Sequence, residues 1–204
     1  MIPLHTGRVD AAVPGEVQAQ LRTGEPVRIR PILPTDVPNL LEFHSRLSVN
    51  TTRLRFFTPM RRLSPQFAEH LCTVDFVKRT AFVVSPAGAD TIFGVGRYEA
   101  ESETSAELAF VVEDAKQGTG VGSLLMNRLI DHARARGFER LTAVVLCENE
   151  HMLTLFRESP YLGEITMEHD CAFVKLNIGA AEGASTPAVR RRVPGLVAMP
   201  SRKA

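Results

Sequence analysis

Apolar and polar residues alternate along Val27-Arg28-Ile29-Arg30-Pro31-Ile32, the period of a strand with one buried face. Thr35-Asp36 then offers an N-cap ahead of Val37, Leu40, Leu41, His44 and Leu47, whose spacing predicts an amphipathic helix. His44 falls on the apolar stripe and has no second metal-type residue at helical spacing, so it reads as a packed core histidine. Residues 51–75 carry Phe56, Phe57, Phe67 and Leu71 and the start signal Ser64-Pro65, and read as one or two further helices. Arg53, Arg55, Arg61 and Arg62 are expected on their solvated face, with contact to an acidic substrate as the alternative.

Three strand-like runs follow, at residues 80–85, 91–100 and 106–113, joined by Pro86-Ala87-Gly88 and a polar stretch at 101–105: an antiparallel meander. Val121, Leu124, Leu125, Leu129, Ile130 and Ala133 then recur at helical spacing, with Gly137 as the left-handed cap. Leu141 to Leu146 is a continuous apolar run of buried-strand length, Asn149 caps a short helix ending near Glu158, and residues 162–168 and 172–178 supply two last strands. This order predicts an α/β (α+β) fold: a mixed, mostly antiparallel central sheet of six to seven strands with helices on both faces. The domain is expected over residues 26–178. Residues 1–25 lack a period and read as a flexible extension; residues 179–204, with Arg190-Arg191-Arg192 and Arg202-Lys203, read as a disordered basic tail.

Composition narrows the function. Twenty-four basic residues against 23 acidic ones leave a net charge of +1, so nothing overall draws the chain to nucleic acid or a membrane surface. No run approaches the roughly 18 uncharged apolar residues of a spanning helix. Cys72, Cys147 and Cys171 are too few and too scattered for a disulfide framework or a paired metal motif, which fits a reduced, cytoplasmic setting without a metal.

The chemistry enters at Gln117-Gly118-Thr119-Gly120-Val121-Gly122. A strand ending at Val112-Glu113-Asp114, a glycine-rich turn and a helix start aim several unpaired N–H groups at one point, an anion site. A P-loop would need Lys-Ser or Lys-Thr after the last glycine, whereas Gly122 is followed by Ser123-Leu124. A dinucleotide fingerprint fails too: Gly94-Val95-Gly96 sits inside a strand and Glu99 stands where its third glycine belongs.

Residues 106–126 resemble the coenzyme-binding motif of the GNAT superfamily of N-acetyltransferases, in which Gln or Arg, two residues, Gly, one residue and Gly or Ala form the pyrophosphate loop; Gln117, Gly120 and Gly122 match its fixed positions. The resemblance spans about residues 27–178 and includes Asn149, which matches an asparagine beside the coenzyme. It implies that the family's fourth and fifth strands splay around a pantetheine arm. Phe110, Val111 and Val112 would then supply backbone contacts, and Gln117, Gly118, Thr119, Gly120, Val121, Gly122 and Ser123 phosphate contacts. Arg55 to Ser64 and Ala106-Glu107-Leu108-Ala109 resemble the bacterial protein-lysine acetyltransferase branch, which makes Glu107 the implied general base. On a period-two strand Glu107 shares a face with Ala109 and Val111.

The resemblance thus implies acetyl-coenzyme A as acyl donor and a primary amine, foremost a protein lysine, as acceptor. A small amine, or a non-catalytic acyl-coenzyme A sensor, is the alternative. A monomer or homodimer is expected, with neither nucleic acid nor membrane as partner. Three departures stand out. Phe156 occupies the position of the tyrosine that protonates the departing thiolate in many members; Pro160-Tyr161 replaces the usual Gly-Phe, with Tyr161 a packing substitute; and Cys147 has no activating base in sequence and reads as an inert thiol. With about 25 residues ahead of the first strand, nucleotide control by an attached regulatory domain is not expected.

Overall fold

A computed structural model describes residues 13–179. An N-terminal hairpin, β1 (Val17–Gln20) and β2 (Pro26–Pro31), leads through a 3-10 turn at Pro34–Asp36 into α1 (Val37–Arg46), α2 (Val49–Phe56) and α3 (Pro65–Cys72). The meander β3 (Arg79–Pro86), β4 (Gly94–Ala100) and β5 (Ser105–Val112) follows, then α4 (Val121–Ala135), β6 (Arg140–Leu146), α5 (Glu150–Arg157) and the hairpin β7 (Leu162–Glu168) and β8 (Cys171–Asn177). The strands form one sheet, β1-β2-β3-β4-β5-β6-β8-β7, antiparallel throughout except between β5 and β6. The mixed α/β sheet with helices on both faces is therefore the observed fold.

The sheet has eight strands where six to seven were expected. The added strand is β1, inside the segment read as a flexible extension, so that reading is corrected for Val17–Gln20. Its pattern offers only Val17 and Ala19 as apolar positions, too short an alternation to register. Ala19 nevertheless packs on the core, and β1 pairs with β2 from Val17↔Ile29 to Gln20↔Pro26. The basic tail from residue 180 lies outside the described residues.

Alternation along the strands builds two cores. Phe82, Val84, Tyr98, Leu108 and Phe110 face Leu125, Leu129 and Ile130 of α4; Ile32, Ala81, Val83 and Val95 face Leu40 and Phe43 of α1 and Ala68 of α3. Gly94 and Gly96 let α4 lie close on β4: a Cβ at Gly94 would stand 2.6 Å from Val121 Cγ1, and one at Gly96 would stand 3.0 Å from both Leu129 Cδ1 and Phe110 Cδ1. Under α4, the buried Tyr98 hydroxyl hydrogen-bonds His132 Nδ1 at 2.8 Å. Burial, with help from Arg136 and Arg128, pushes His132 down to about 4, so its ring is neutral.

Asp36 departs from its expected role. Its side chain does not cap α1. It accepts from Leu33 N (2.8 Å) and takes a two-pronged pair from the buried Arg30 (2.7 and 2.8 Å), tying β2 to the helical block.

Candidate active site

The site begins where β5 and β6 part. Their ladder holds only Ser105↔Arg140, Ala106↔Leu141 and Glu107↔Thr142. β5 then stays with β4 to Val112, while β6 stays with β8 to Leu146. Phe156 of α5, fully buried, packs edge-on against Phe110 with centroids 6.2 Å apart and acts as the wedge under the split. Backbone polar groups of β5 that point toward β6 beyond Glu107 have no ladder partner there, which an extended ligand can use.

At the far end of β5 lies the glycine turn. Gly118 (φ +74) and Gly120 (φ +103) adopt left-handed backbone that a side chain would strain, and a Cβ at Gly122 would stand 3.3 Å from Leu155 Cδ2. No side chain caps the start of α4, so its first-turn N–H groups stay available to an anion. The turn is braced from three sides. Gln117 Nε2 donates to Val112 O and to Thr51 Oγ1, both at 3.2 Å. Asp114 accepts from Ser48 N, Ser48 Oγ and Thr51 Oγ1 at 3.0, 2.6 and 2.7 Å; burial raises its carboxyl, yet these bonds outweigh burial and hold it below the ordinary range. Arg22 N donates to Thr119 O at 2.9 Å, so the β1–β2 turn latches onto the loop.

Between turn and split runs an open groove of about 560 Å³. Its floor is Phe110, Val111 and Val112; Asn149 stands across from them and caps α5 by accepting from Met152 N at 3.2 Å. Arg22 and Lys116 add positive charge beside the glycines. Unpaired N–H groups, glycine backbone and two cations form a cradle that fits a pyrophosphate.

Comparison with known proteins decides the family. The model of the acetyltransferase (GNAT) family matches residues 50–159, which include the glycine turn, both split strands and α5. The chain belongs to the GNAT acetyltransferase family. Among its GNAT relatives, acetyltransferase Pat of Mycolicibacterium smegmatis is 32% identical over 164 residues, 79% of this chain and 48% of its own length. The chain thus spans about half the length of that relative. An acetyltransferase of Pseudomonas aeruginosa is 33% identical over 158 residues, 76% of this chain and 85% of that protein. Among solved structures, the GNAT domain of PAT from S. lividans superposes with a TM-score of 0.73 at 30% identity, covering 79% of this chain and 96% of that one.

In this GNAT chain the groove brings together Phe110, Val111, Val112, Gln117, Gly118, Gly120, Gly122, Ser123 and Asn149. The side chains of Thr119 and Val121 do not line it: Thr119 Oγ1 donates to Lys116 O at 2.6 Å, and Val121 is 1% exposed in the core under Gly94. Glu107 sits at the mouth of the split, exposed, lining an adjoining cavity of about 50 Å³ with Arg55, Phe57, Ala109 and Asn149. It also stands directly across from Glu99 in the β4–β5 register.

Among the groove residues not named as site residues from sequence are Arg22, Thr51, Arg55 and Lys116. Arg55 corrects an expectation, for it is half-buried where the split meets the groove instead of lying on a solvated face. Burial lowers its guanidinium, against the pull of Glu107 and Glu99. Arg61 and Arg62 are exposed as expected, and Arg53 pairs with Glu148. Tyr161 packs against the core with its hydroxyl 3.2 Å from Arg134 Nη1, outside the groove. Cys147 packs against Met167, and burial pushes the Cys72 thiol up to about 11. Among the described residues no three His, Cys, Asp or Glu side chains cluster as metal ligands, and no helix is long and apolar enough to cross a membrane.

Proposed function

We propose that this chain is an acetyl-coenzyme A-dependent N-acetyltransferase that acetylates protein lysines in the cytoplasm. The observation that carries the reading is a groove with a phosphate-type cradle at one end that adjoins, at the mouth of the strand split, a small cavity lined by the carboxylate of Glu107. Fold likeness supports the donor: the Salmonella typhimurium acetyltransferase yncA, described with its cofactor acetyl-CoA, shares the fold at TM-score 0.61 and 17% identity. In the bound state the coenzyme supplies an acyl thioester. Gly118, Gly120 and the first turn of α4, with Arg22 and Lys116, hold its phosphates; the unpaired edge of β5 at Phe110–Val112 orients its extended arm and offers N–H groups to the acyl oxygen.

Glu107 answers the acceptor's chemistry. A lysine amine of pKa near 10.4 is neutral in only about one molecule in 2,500 at pH 7, and only the neutral amine attacks. Glu107, directly or through water, takes the proton; the carbon–sulfur bond breaks as the carbon–nitrogen bond forms. Phe156 has no proton to give, and a thiolate of conjugate pKa near 8.5 leaves with one from water. The exposed rim, with Glu107 open to solvent and Phe57 45% exposed, suits an amine presented from a protein surface.

Mass spectrometry of protein lysates, lysine peptides and small amines incubated with acetyl-coenzyme A tests the proposal. Glu107→Gln is expected to lower turnover by about 10² to 10⁴ while coenzyme affinity stays within a few-fold. Unimpaired acetylation by the variant would remove Glu107 from the mechanism. Coenzyme binding with no product on any acceptor would favour the sensor.

A further inference from the structure

Behind the split, on the other side of β5, lies a second cavity of about 30 Å³, between the β4–β5 face and helices α1–α3. It shares Arg55 and Ala109 with the split and Arg55 and Val111 with the groove, so it opens from the place where the acyl group arrives. Its walls are mostly apolar, yet three cationic or polar groups reach it. Arg97 is 6% exposed; its guanidinium makes one hydrogen bond, to Leu71 O at 3.0 Å, and a long ion pair with the half-exposed Glu99 at 3.9 Å. Arg55 lies within 4.0 Å of no carboxylate among the described residues and reaches only the Phe56 ring, at 5.0 Å. His44 is 5% exposed, and its buried Nε2 has no hydrogen-bond partner.

Buried charge is costly unless it is paired, and buried polar atoms are nearly always satisfied. A guanidinium held only by one hydrogen bond and a long ion pair, a second with no carboxylate within 4.0 Å, and an orphan imidazole nitrogen thus surround one void that an anion would complete. The void has room for about two water molecules, which is close to the bulk of a carboxylate. Planar guanidiniums are matched to that group. We propose that Arg97, Arg55 and His44 form a carboxylate-binding subsite at the acyl end of the groove.

The carboxylate has two possible carriers: the free end of a short dicarboxylic acyl group on the coenzyme, or an amino-acid-like acceptor. Either way the carboxylate is unchanged by the reaction; the acyl carbon leaves sulfur for nitrogen as before. The subsite rests on the coenzyme reading of the groove, and its test begins with coenzyme A alone, measured by isothermal titration. Failure to bind it would overturn the groove and the subsite together, whereas binding isolates the subsite for the next two arms.

The donor arm compares acetyl-, malonyl- and succinyl-coenzyme A; the acceptor arm compares kcat/KM for lysine and for cadaverine, which lacks the carboxylate. A preference of about 10- to 100-fold for the carboxylate-bearing partner in one arm is expected, as for hydrogen bonds to a charged group, and the arm that shows it names the carrier. Arg97→Met should erase that preference. The ratio is read within each variant, so a general loss of stability does not imitate the effect; if Arg97→Met does not fold, Arg55→Met and His44→Phe carry the test, each expected to reduce the preference several-fold. Equal treatment of both partners in both arms, or a preference that survives these substitutions, would overturn the subsite.

Discussion

Arg22 is an exposed side chain in a hairpin turn, yet it stands over Gly120, with its Cγ 3.4 Å from where a Cβ would be, while its own N–H holds Thr119 O. Its charge is therefore presented to whatever the glycines hold. Arg22→Gln keeps the backbone latch and removes the charge; it is expected to weaken coenzyme A binding by roughly 3- to 10-fold, with a shallower salt dependence, by titration calorimetry at two ionic strengths. Lys116 is tied to Glu25 at 2.7 Å and lies 4.1 Å over the Phe93 ring, so its charge is already shared. At this scale the glycine turn was legible in its own local pattern, whereas Asn149 and Glu107 entered as candidates only through the resemblance. Arg22 was not legible and Arg55 read as solvated: each reaches the site from an element remote in the chain, and an arginine on a short helix looks the same whether it faces water or a cavity.

The contact of α4 with β4 depends on two missing side chains. Gly94→Ala would drive a methyl into Val121, the first residue of α4, and is expected to cost about 1–3 kcal/mol by urea denaturation, as overpacking does. Because Gly120 and Gly122 flank Val121, the same change should weaken coenzyme affinity. Gly88→Ala is the contrast: nothing lies within 4 Å of the new methyl, but φ is +82, so a loss of about 1–2 kcal/mol is expected from backbone strain alone, with coenzyme affinity unchanged. The elements themselves were largely readable, since α4 and the meander show sustained periods of 3.6 and 2. The split of β5 from β6 was reached only by resemblance: where a ladder ends depends on which neighbour each strand keeps, and that is settled by β4, β8 and the Phe156 wedge together.

The molecule as a whole stores sensitivity to acid in buried groups. His132 titrates in the folded protein near 4 and in the unfolded chain near 6.5, so the unfolded state takes up the proton first. A depressed folded pKa means stability that is complete above about 6.5 and lost as pH falls toward 4, here at most about 3 kcal/mol. His44, lowered by burial, acts in the same direction, and Asp36 and Asp114, also held low, add their loss at more acid pH. Urea midpoints measured from pH 7.5 to 4.5 should decline, and His132→Gln, which keeps a hydrogen-bonding group for Tyr98, should flatten that decline. The bond from Arg22 N to Thr119 O has a reach beyond the groove. Linkage is reciprocal, so whatever free energy the hairpin lends to coenzyme binding, the coenzyme returns to the hairpin. Saturating coenzyme A should slow amide hydrogen exchange along Val17–Gln20 and Pro26–Pro31, strands that line no part of the groove, making the sheet's outermost edge a reporter of an occupied loop.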